Sequence, residues 1–180
     1  MVYDNNYRKH MMLYHGSDQV VKEPIILEPE RKMDFGKGFY TTTSFTQARK
    51  WAIDVKKKRG SDGAYVSEYE YTESGTMDIL LFDGPTADWL HFIESSRIAG
   101  KNHDHDIVVG PVADEGVYYI LMLYETGTLS VMETIARLET AKLDDQVLFH
   151  TSRSLCDITF LGYREVQRWR RRSGSSSKVF

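Results

Sequence analysis

Three short segments of this 180-residue chain bring together residue types that can bind a polar ligand. Tyr14–Ser17 places a histidine and a glycine at the end of a short apolar run. Asp34–Thr42 flanks Lys37 with two glycines and continues into aromatic residues, and Asp144–Phe149 sets polar groups at the mouth of a predicted strand. Glycine lets a backbone approach a ligand closely, and histidine, tyrosine and amide side chains offer hydrogen-bonding groups. Read together, the three segments indicate a binding site built from separate strands.

Each segment also has an ordinary structural explanation. A lone histidine such as His15 is more often a surface or satisfied core residue, and a Gly-x-Gly run is equally a turn. Asp144 and its neighbours fit a solvated strand start. A Rossmann dinucleotide site is excluded, because no third glycine follows Gly38 at the needed spacing and the preceding segment is not a predicted strand.

Composition places the chain among ordinary folded proteins of one domain. Hydrophobic residues make up 41% and aromatic residues 12%, and the net charge of −3 gives no global basic field that would imply nucleic-acid binding, so the partner stays open at this level. The single cysteine, Cys156, excludes an intramolecular disulfide and a zinc site built on paired cysteines. The N-terminus has no apolar signal core, and no run approaches the ~20 apolar residues of a membrane span. We therefore expect a cytoplasmic protein with no membrane partner.

Hydrophobic periodicity predicts strands and helices in mixed order, with no regular βαβ rhythm, and hence an α+β fold. The predicted strands are Met11–Tyr14, Ala64–Tyr71, Met77–Phe82, Asp106–Val109, Val147–Phe149 and Ile158–Leu161. The predicted helices run from Ser44 or Thr46 to Arg59, from Pro85 to before Gly100, over Gly116–Tyr124 and over Ser130–Lys142. The stretch from Asp18 to Gly38 is too long and irregular for a simple connection, which is typical of a functional loop.

The end of the chain differs from the rest. We assign residues 1–163 to the domain and residues 164–180 to a basic, partly flexible tail. The tail carries arginines around an aromatic residue, and such a cluster could meet phosphates and stack on a base. These residues are Arg164, Arg168, Trp169, Arg170, Arg171 and Arg172. A solvated helix end, or a tail that meets an acidic partner, explains the cluster equally well.

The motifs resemble those of the ADP-ribosyltransferase superfamily of the diphtheria-toxin and poly(ADP-ribose) polymerase type, known by a His–Tyr–Glu triad on successive strands. The polymerases have a strand that ends in His-Gly-Ser, matched by His15–Ser17, and a Gly-Lys-Gly-x-Tyr run before a helix, matched by Gly36–Tyr40. The chain looks still more like a bacterial family of that superfamily, catalogued only as a domain of unknown function and often found in toxin–antitoxin or phage-defence settings. That likeness extends from Leu13 to Leu161, and the following segments carry it: Leu13–Ser17, Asp34–Tyr40, Gln47-Ala48 with Trp51-Ala52, Asp106–Asp114 and Asp145–Gln146.

The resemblance implies a split β-sheet core with an NAD groove and flanking helices. In it, His15 would bond the adenosine-side ribose, and the Gly16 backbone would hold the nicotinamide carboxamide through one donor and one acceptor. Ser17 and Gly38 would lie beside the bound NAD. Tyr40 would lie against the nicotinamide ring.

The helix after Tyr40 supplies a second aromatic residue. Trp51 stands where the polymerases carry a tyrosine that sandwiches the nicotinamide ring. Ala48 stands where they carry a serine that bonds the carboxamide, so this contact is lost or replaced.

The third motif departs from the triad, because Gln146 stands where the superfamily has glutamate. Glutamine can accept the ribose hydrogen bond but cannot add the charge that stabilises the oxocarbenium-like transition state. Asp144, which shares a strand face with Gln146, or the loop carboxylates Asp34 and Asp114 could compensate. Since the glutamate also activates the growing chain in polymer synthesis, its absence predicts transfer of single units.

The resemblance therefore predicts a mono-ADP-ribosyltransferase with NAD as co-substrate and with His15, Tyr40 and Gln146 as the catalytic set. Its setting would be that of a bacterial toxin or phage-defence effector, with a protein or nucleic acid as acceptor and an antitoxin as a possible partner. No metal is required. Two alternatives stay open, namely an NAD glycohydrolase, in which water captures the ribosyl cation, and a non-catalytic binding module on the same fold.

Overall fold

The fold is described from a computed structural model that covers residues 10–28, 33–97, 103–112, 115–141 and 143–167. Three sequence predictions lie outside these residues: the carboxylate Asp114, the helix end at Lys142 and the basic cluster that follows Gln167. Within the described residues no helix is long and apolar enough to cross a membrane.

Two β-sheets form the centre of the described fold. The first has the antiparallel order β1-β3-β7, and the second has the order β2-β6-β5-β4, in which only the β4–β5 pair is parallel. The strands are β1 (His10–Ser17), β2 (Phe39–Thr41), β3 (Tyr65–Thr72), β4 (Ile79–Leu81), β5 (Ile107–Pro111), β6 (Asp145–Phe149) and β7 (Ile158–Glu165).

Local sequence signals explain where the helices begin and end. The helices are α1 (Phe45–Arg59), α2 (Ala87–Arg97), α3 (Glu115–Glu125) and α4 (Val131–Glu139), with a 3₁₀ helix at Ser152–Asp157. Ser44 caps α1 by accepting a hydrogen bond from the Gln47 amide, and Gly60 ends the helix in the left-handed region with φ of 68°. A capping box of Ser130 and Glu133 starts α4.

The structure confirms a single α+β domain and differs from the sequence predictions at several boundaries. The three-residue strand β2 was not predicted, because it follows two glycines and is too short to show a period. Helix α4 ends at Glu139, three residues before the predicted end. Strand β7 continues to Glu165 because Arg164 pairs with Val66 in the ladder and forms an ion pair with Glu68, so the folded part extends past residue 163.

Besides side-chain packing, a single backbone bridge links the two sheets in the described part of the chain. An isolated antiparallel bridge joins Tyr14 to Thr42, with the Tyr14 amide 2.8 Å from the Thr42 carbonyl and the Thr42 amide 3.0 Å from the Tyr14 carbonyl. β1, β2 and β6 are therefore consecutive neighbours, and β1 separates from β2 beyond the bridge. The result is a split between the two sheets that begins beside His15 and Gly16.

Candidate functional site

The backbone of Gly16 is directed into the split between β1 and β2. Residues two apart on a strand turn their N–H and C=O groups to the same side. Since Tyr14 uses these groups to bond Thr42, which directly follows β2, the corresponding groups of Gly16 also point away from β3. Continuing the register of the bridge along β2 places Tyr40 opposite Gly16. One donor and one acceptor of the main chain thus face Tyr40 across the split.

His15 lies at the point where the strands separate. Its ring stacks on Phe39 with centroids 4.5 Å apart, and its Nδ1 is 2.7 Å from the carbonyl oxygen of Tyr40. Because a carbonyl only accepts, Nδ1 carries the hydrogen and Nε2 of the neutral ring is an acceptor. Burial lowers the pKa of His15 below its ordinary value, against the opposing effect of the Tyr40 bond. At neutral pH the ring is therefore neutral, with Nε2 able to accept a hydrogen bond from a hydroxyl.

Gly16 also allows helix α1 to pack closely on β1. A Cβ atom at this position would lie 2.0 Å from the Ala48 carbonyl oxygen and 2.9 Å from the Ala52 amide nitrogen. Ala48 and Ala52 are both buried, at 2% and 0% exposure. Because the residues in contact on the two elements are small, the backbones of β1 and α1 can approach closely. This contact sets the position of α1 beside the split.

Tyr40 holds the preceding glycine loop through its hydroxyl group. The hydroxyl donates to the Gly36 carbonyl at 2.6 Å and accepts from the Phe35 amide at 3.2 Å. Gly38 has φ of 146°, and a Cβ there would lie 2.4 Å from the Phe149 carbonyl oxygen. The glycines of the second motif therefore let this loop fold back against β6.

Gln146 lies on the same face of the second sheet as Tyr40. Tyr40 is directly opposite Leu148 in the β2–β6 pair, and Gln146 is two residues from Leu148 on β6. The side chain of Gln146 is 6% exposed, and its Nε2 lies 3.4 Å from Oδ2 of Asp34. The structure thus brings Tyr40, Gln146 and Asp34 to one side of the sheet.

The other carboxylates near Gln146 have different surroundings. Asp145 is the next residue before Gln146 on β6, so it points to the opposite face, and it accepts hydrogen bonds from the hydroxyls of Thr42 at 2.9 Å and Thr43 at 2.8 Å. Asp144 precedes β6 and is exposed. Asp114 lies outside the described residues, and of the other two carboxylates proposed from the sequence to compensate for the missing glutamate, Asp34 is the one found beside Gln146.

Two further predicted residues lie on the elements beside the split, β1 and α1. Ser17 ends β1, is 8% exposed and donates to Asp18 at 3.3 Å. Trp51 on α1 is 45% exposed and therefore is not a core residue, although helical spacing alone would also allow it to be one.

Two histidines that the sequence analysis did not single out hold the glycine loop from its other side. His103 Nε2 lies 3.0 Å from the Phe35 carbonyl, and His150 Nδ1 lies 2.8 Å from the Lys37 carbonyl. Their rings are stacked with centroids 4.1 Å apart. Burial lowers the pKa of His103, and His150 adds to this effect, so His103 is neutral at neutral pH. The available sequence signal was their position near strand ends: His103 lies four residues before β5, and His150 directly follows β6.

Asp106, in the fourth matched segment, has a structural role. It is 1% exposed and accepts hydrogen bonds from Arg153 Nε at 2.7 Å and the Thr151 hydroxyl at 2.6 Å. The Arg153 guanidinium holds the pKa of this carboxyl well below its usual range. Its backbone carbonyl accepts from the His150 amide at 2.8 Å, which helps to fix His150.

A separate cleft of about 1300 Å³ lies between the sheets and is lined in part by Met12, Tyr71, Ile107 and Val147. His15, Tyr40 and Gln146 do not line it. On β6, Val147 lines this cleft and faces away from Gln146, which does not line it. The hydrogen-bond geometry around the split, rather than this volume, defines the candidate site.

These features define the chain as a single-domain α+β protein with two sheets joined at one bridge. It belongs to the family described as "Protein of unknown function (DUF3990)", whose model matches residues 11–160. The matched range contains all three motifs and agrees with the span from Leu13 to Leu161 expected from the sequence. No curated protein and no solved structure matches the chain.

Proposed function

We propose that this protein is an NAD-dependent mono-ADP-ribosyltransferase. One observation carries the proposal: His15, Tyr40 and Gln146 lie on three neighbouring strands, β1, β2 and β6, around a split into which Gly16 turns a main-chain donor and acceptor. This is the order in which the superfamily that the motifs resemble arranges its triad.

The residues around the split suit the parts of NAD. The neutral His15 ring offers Nε2 to a ribose hydroxyl, and the Gly16 N–H and C=O match the two ends of a carboxamide. Tyr40 presents an aromatic ring opposite Gly16, where a planar nicotinamide can lie against it. The residues present therefore fit the co-substrate.

The reaction breaks the bond between nicotinamide nitrogen and ribose carbon, and the bonding electrons leave with neutral nicotinamide. A nucleophile of the acceptor then bonds the ribosyl cation and loses its proton to solvent. Gln146 accepts a hydrogen bond from the adjacent ribose hydroxyl, a contact that strengthens as positive charge develops. Since Gln146 has no charge with which to activate a further ribose hydroxyl, single-unit transfer follows.

The acceptor and the setting follow from the same proposal. A macromolecule, either a protein or a nucleic acid, receives the ADP-ribose in the cytoplasm. The setting is that of the toxin–antitoxin and phage-defence systems in which the family that the motifs resemble is often found. An antitoxin protein is the expected partner in such a system.

Labelled NAD tests the proposal directly. We expect the purified protein, incubated with labelled NAD and cell lysate, to place label on one class of macromolecule, which protease, ribonuclease and deoxyribonuclease digestion identifies. His15→Asn is the inactive control, because its amide nitrogen can keep the bond to the Tyr40 carbonyl while the Nε2 acceptor is lost. Nicotinamide release at full rate with no macromolecule present would instead indicate a glycohydrolase, and failure to bind NAD would indicate a non-catalytic module.

Trp51 provides a second prediction. If its exposed indole stacks on nicotinamide, NAD quenches its fluorescence, and Trp51→Ala weakens NAD binding by about tenfold, which corresponds to about 1.4 kcal/mol. Because Trp51 is 45% exposed, the free energy of unfolding should change little. Trp51→Phe keeps an aromatic face and serves as the matched control. Unchanged NAD affinity in Trp51→Ala would remove this residue from the site.

A further inference from the structure

The contact between Asp34 and Gln146 fixes which end of the Gln146 amide is turned toward Asp34. An amide side chain has a donor end and an acceptor end, whereas an ionised carboxylate only accepts. With Nε2 directed to Asp34 Oδ2 at 3.4 Å, the Oε1 atom of Gln146 is directed away from Asp34. Oε1 is the atom that a ribose hydroxyl needs as acceptor. The contact is long for a hydrogen bond, and such contacts commonly tighten when a substrate binds.

The loop that carries Asp34 is anchored on both sides. The next residue, Phe35, is fully buried, and its backbone amide and carbonyl are bonded to the Tyr40 hydroxyl and to His103. His150 bonds the carbonyl of Lys37 three residues after Asp34. The carboxylate thus extends from a backbone that Tyr40 on β2 and the two histidines near β5 and β6 hold in place.

We propose that Asp34 is a positioning residue that orients the Gln146 amide and places negative charge behind it, so that the Asp34–Gln146 pair does the work of the glutamate found in related enzymes. This proposal rests on the proposed transferase function. The Asp34 carboxylate accepts a hydrogen bond from Nε2 of Gln146, and its negative charge polarises the Gln146 amide. Oε1 of the same amide then accepts a hydrogen bond from the ribose hydroxyl as positive charge develops on the neighbouring ribose carbon. The loop held by His103 and His150 sets the distance between the two side chains.

Reciprocal exchange of the two side chains tests the pair without changing its size. Asp34→Asn removes the charge and no longer fixes the amide, and Gln146→Glu alone places two carboxylates side by side, where one must take up a proton. We expect each single variant to lose turnover by about tenfold or more with NAD affinity changed less than about threefold.

In the double variant the amide introduced at position 34 can donate to the carboxylate introduced at position 146, and we expect turnover to return to within about threefold of wild type. Asp62→Asn, an exposed change of equal charge, should match wild type.

Side-chain amide NMR separates this proposal from the proposed function. The Gln146 NH₂ resonance, assigned by its loss in Gln146→Ala, should shift in Asp34→Asn and stay unchanged in Asp62→Asn, whether or not NAD is consumed. Two results would overturn the positioning role alone, provided that the wild-type protein consumes NAD. In the first, Asp34→Asn is as active as the wild type. In the second, the double variant is no more active than the poorer single variant. A wild type that neither transfers nor hydrolyses NAD would overturn the function and the positioning role with it, even if the NMR contact is seen.

Discussion

Gln146→Ala should lower NAD turnover by roughly a hundredfold or more, the cost of one transition-state hydrogen-bonding group worth on the order of a few kcal/mol. The dissociation constant for NAD should change by less than about threefold, since a contact that tightens in the transition state affects mainly the chemical step. Single-turnover kinetics at saturating NAD measure the first quantity, and calorimetric titration measures the second.

Two controls make the Gln146 result specific. Asp144→Ala removes an exposed neighbour that shares the strand face assigned to Gln146, and it should behave as wild type. Because Gln146 is 6% exposed, the variant's unfolding curve should be recorded in parallel, so that a loss of folded protein is not counted as a loss of turnover. Normal turnover in Gln146→Ala together with an inactive Asp144→Ala or Asp114→Ala would show that a carboxylate on another element has the role.

Gly16→Ala should destabilise the protein on the order of 3 kcal/mol, the upper part of the range for overpacking a close contact. The added methyl group would lie 2.0 Å from the Ala48 carbonyl oxygen, and this neighbour is helix backbone that cannot rotate out of the way as a side chain can. The clash between this methyl group and the helix backbone can be relieved only if α1 moves away from β1. That movement would carry Trp51 away from the split, so NAD binding should weaken as well.

Urea denaturation measures this effect against a matched glycine. Gly162 lies on β7, and a Cβ there would have no heavy atom within 4 Å, so Gly162→Ala should change the unfolding free energy by about 0.5 kcal/mol or less. Equal stability of the two variants would contradict the packing of α1 against Gly16. A stable Gly16→Ala that still binds NAD would show that α1 stays in place, since alanine keeps the backbone N–H and C=O of this position.

Local signals in the sequence were sufficient for most of the secondary structure. The Ser44 cap and the basic end before Gly60 correctly bounded α1, and the alternation of tyrosines with glutamates in Tyr65–Tyr71 correctly predicted a half-buried strand, because both depend on residues close together in the chain. β2 and the extension of β7 depend on partners elsewhere. A three-residue strand has too few residues to show a period, and pairing with β6 rather than propensity forms it.

The sequence by itself also determined the candidate residues His15, Gly16, Tyr40 and Gln146, through motifs whose order along the chain is informative. The tertiary structure alone decided which groups surround them. Asp34 meets Gln146 across 112 residues of chain, and His150 meets the Lys37 carbonyl across 113. Such contacts depend on strand register and on how a loop folds back over a sheet, and neither residue type nor spacing encodes a distance of that kind. The choice of Asp34 over Asp144 as the neighbour of Gln146 is therefore a property of the folded chain.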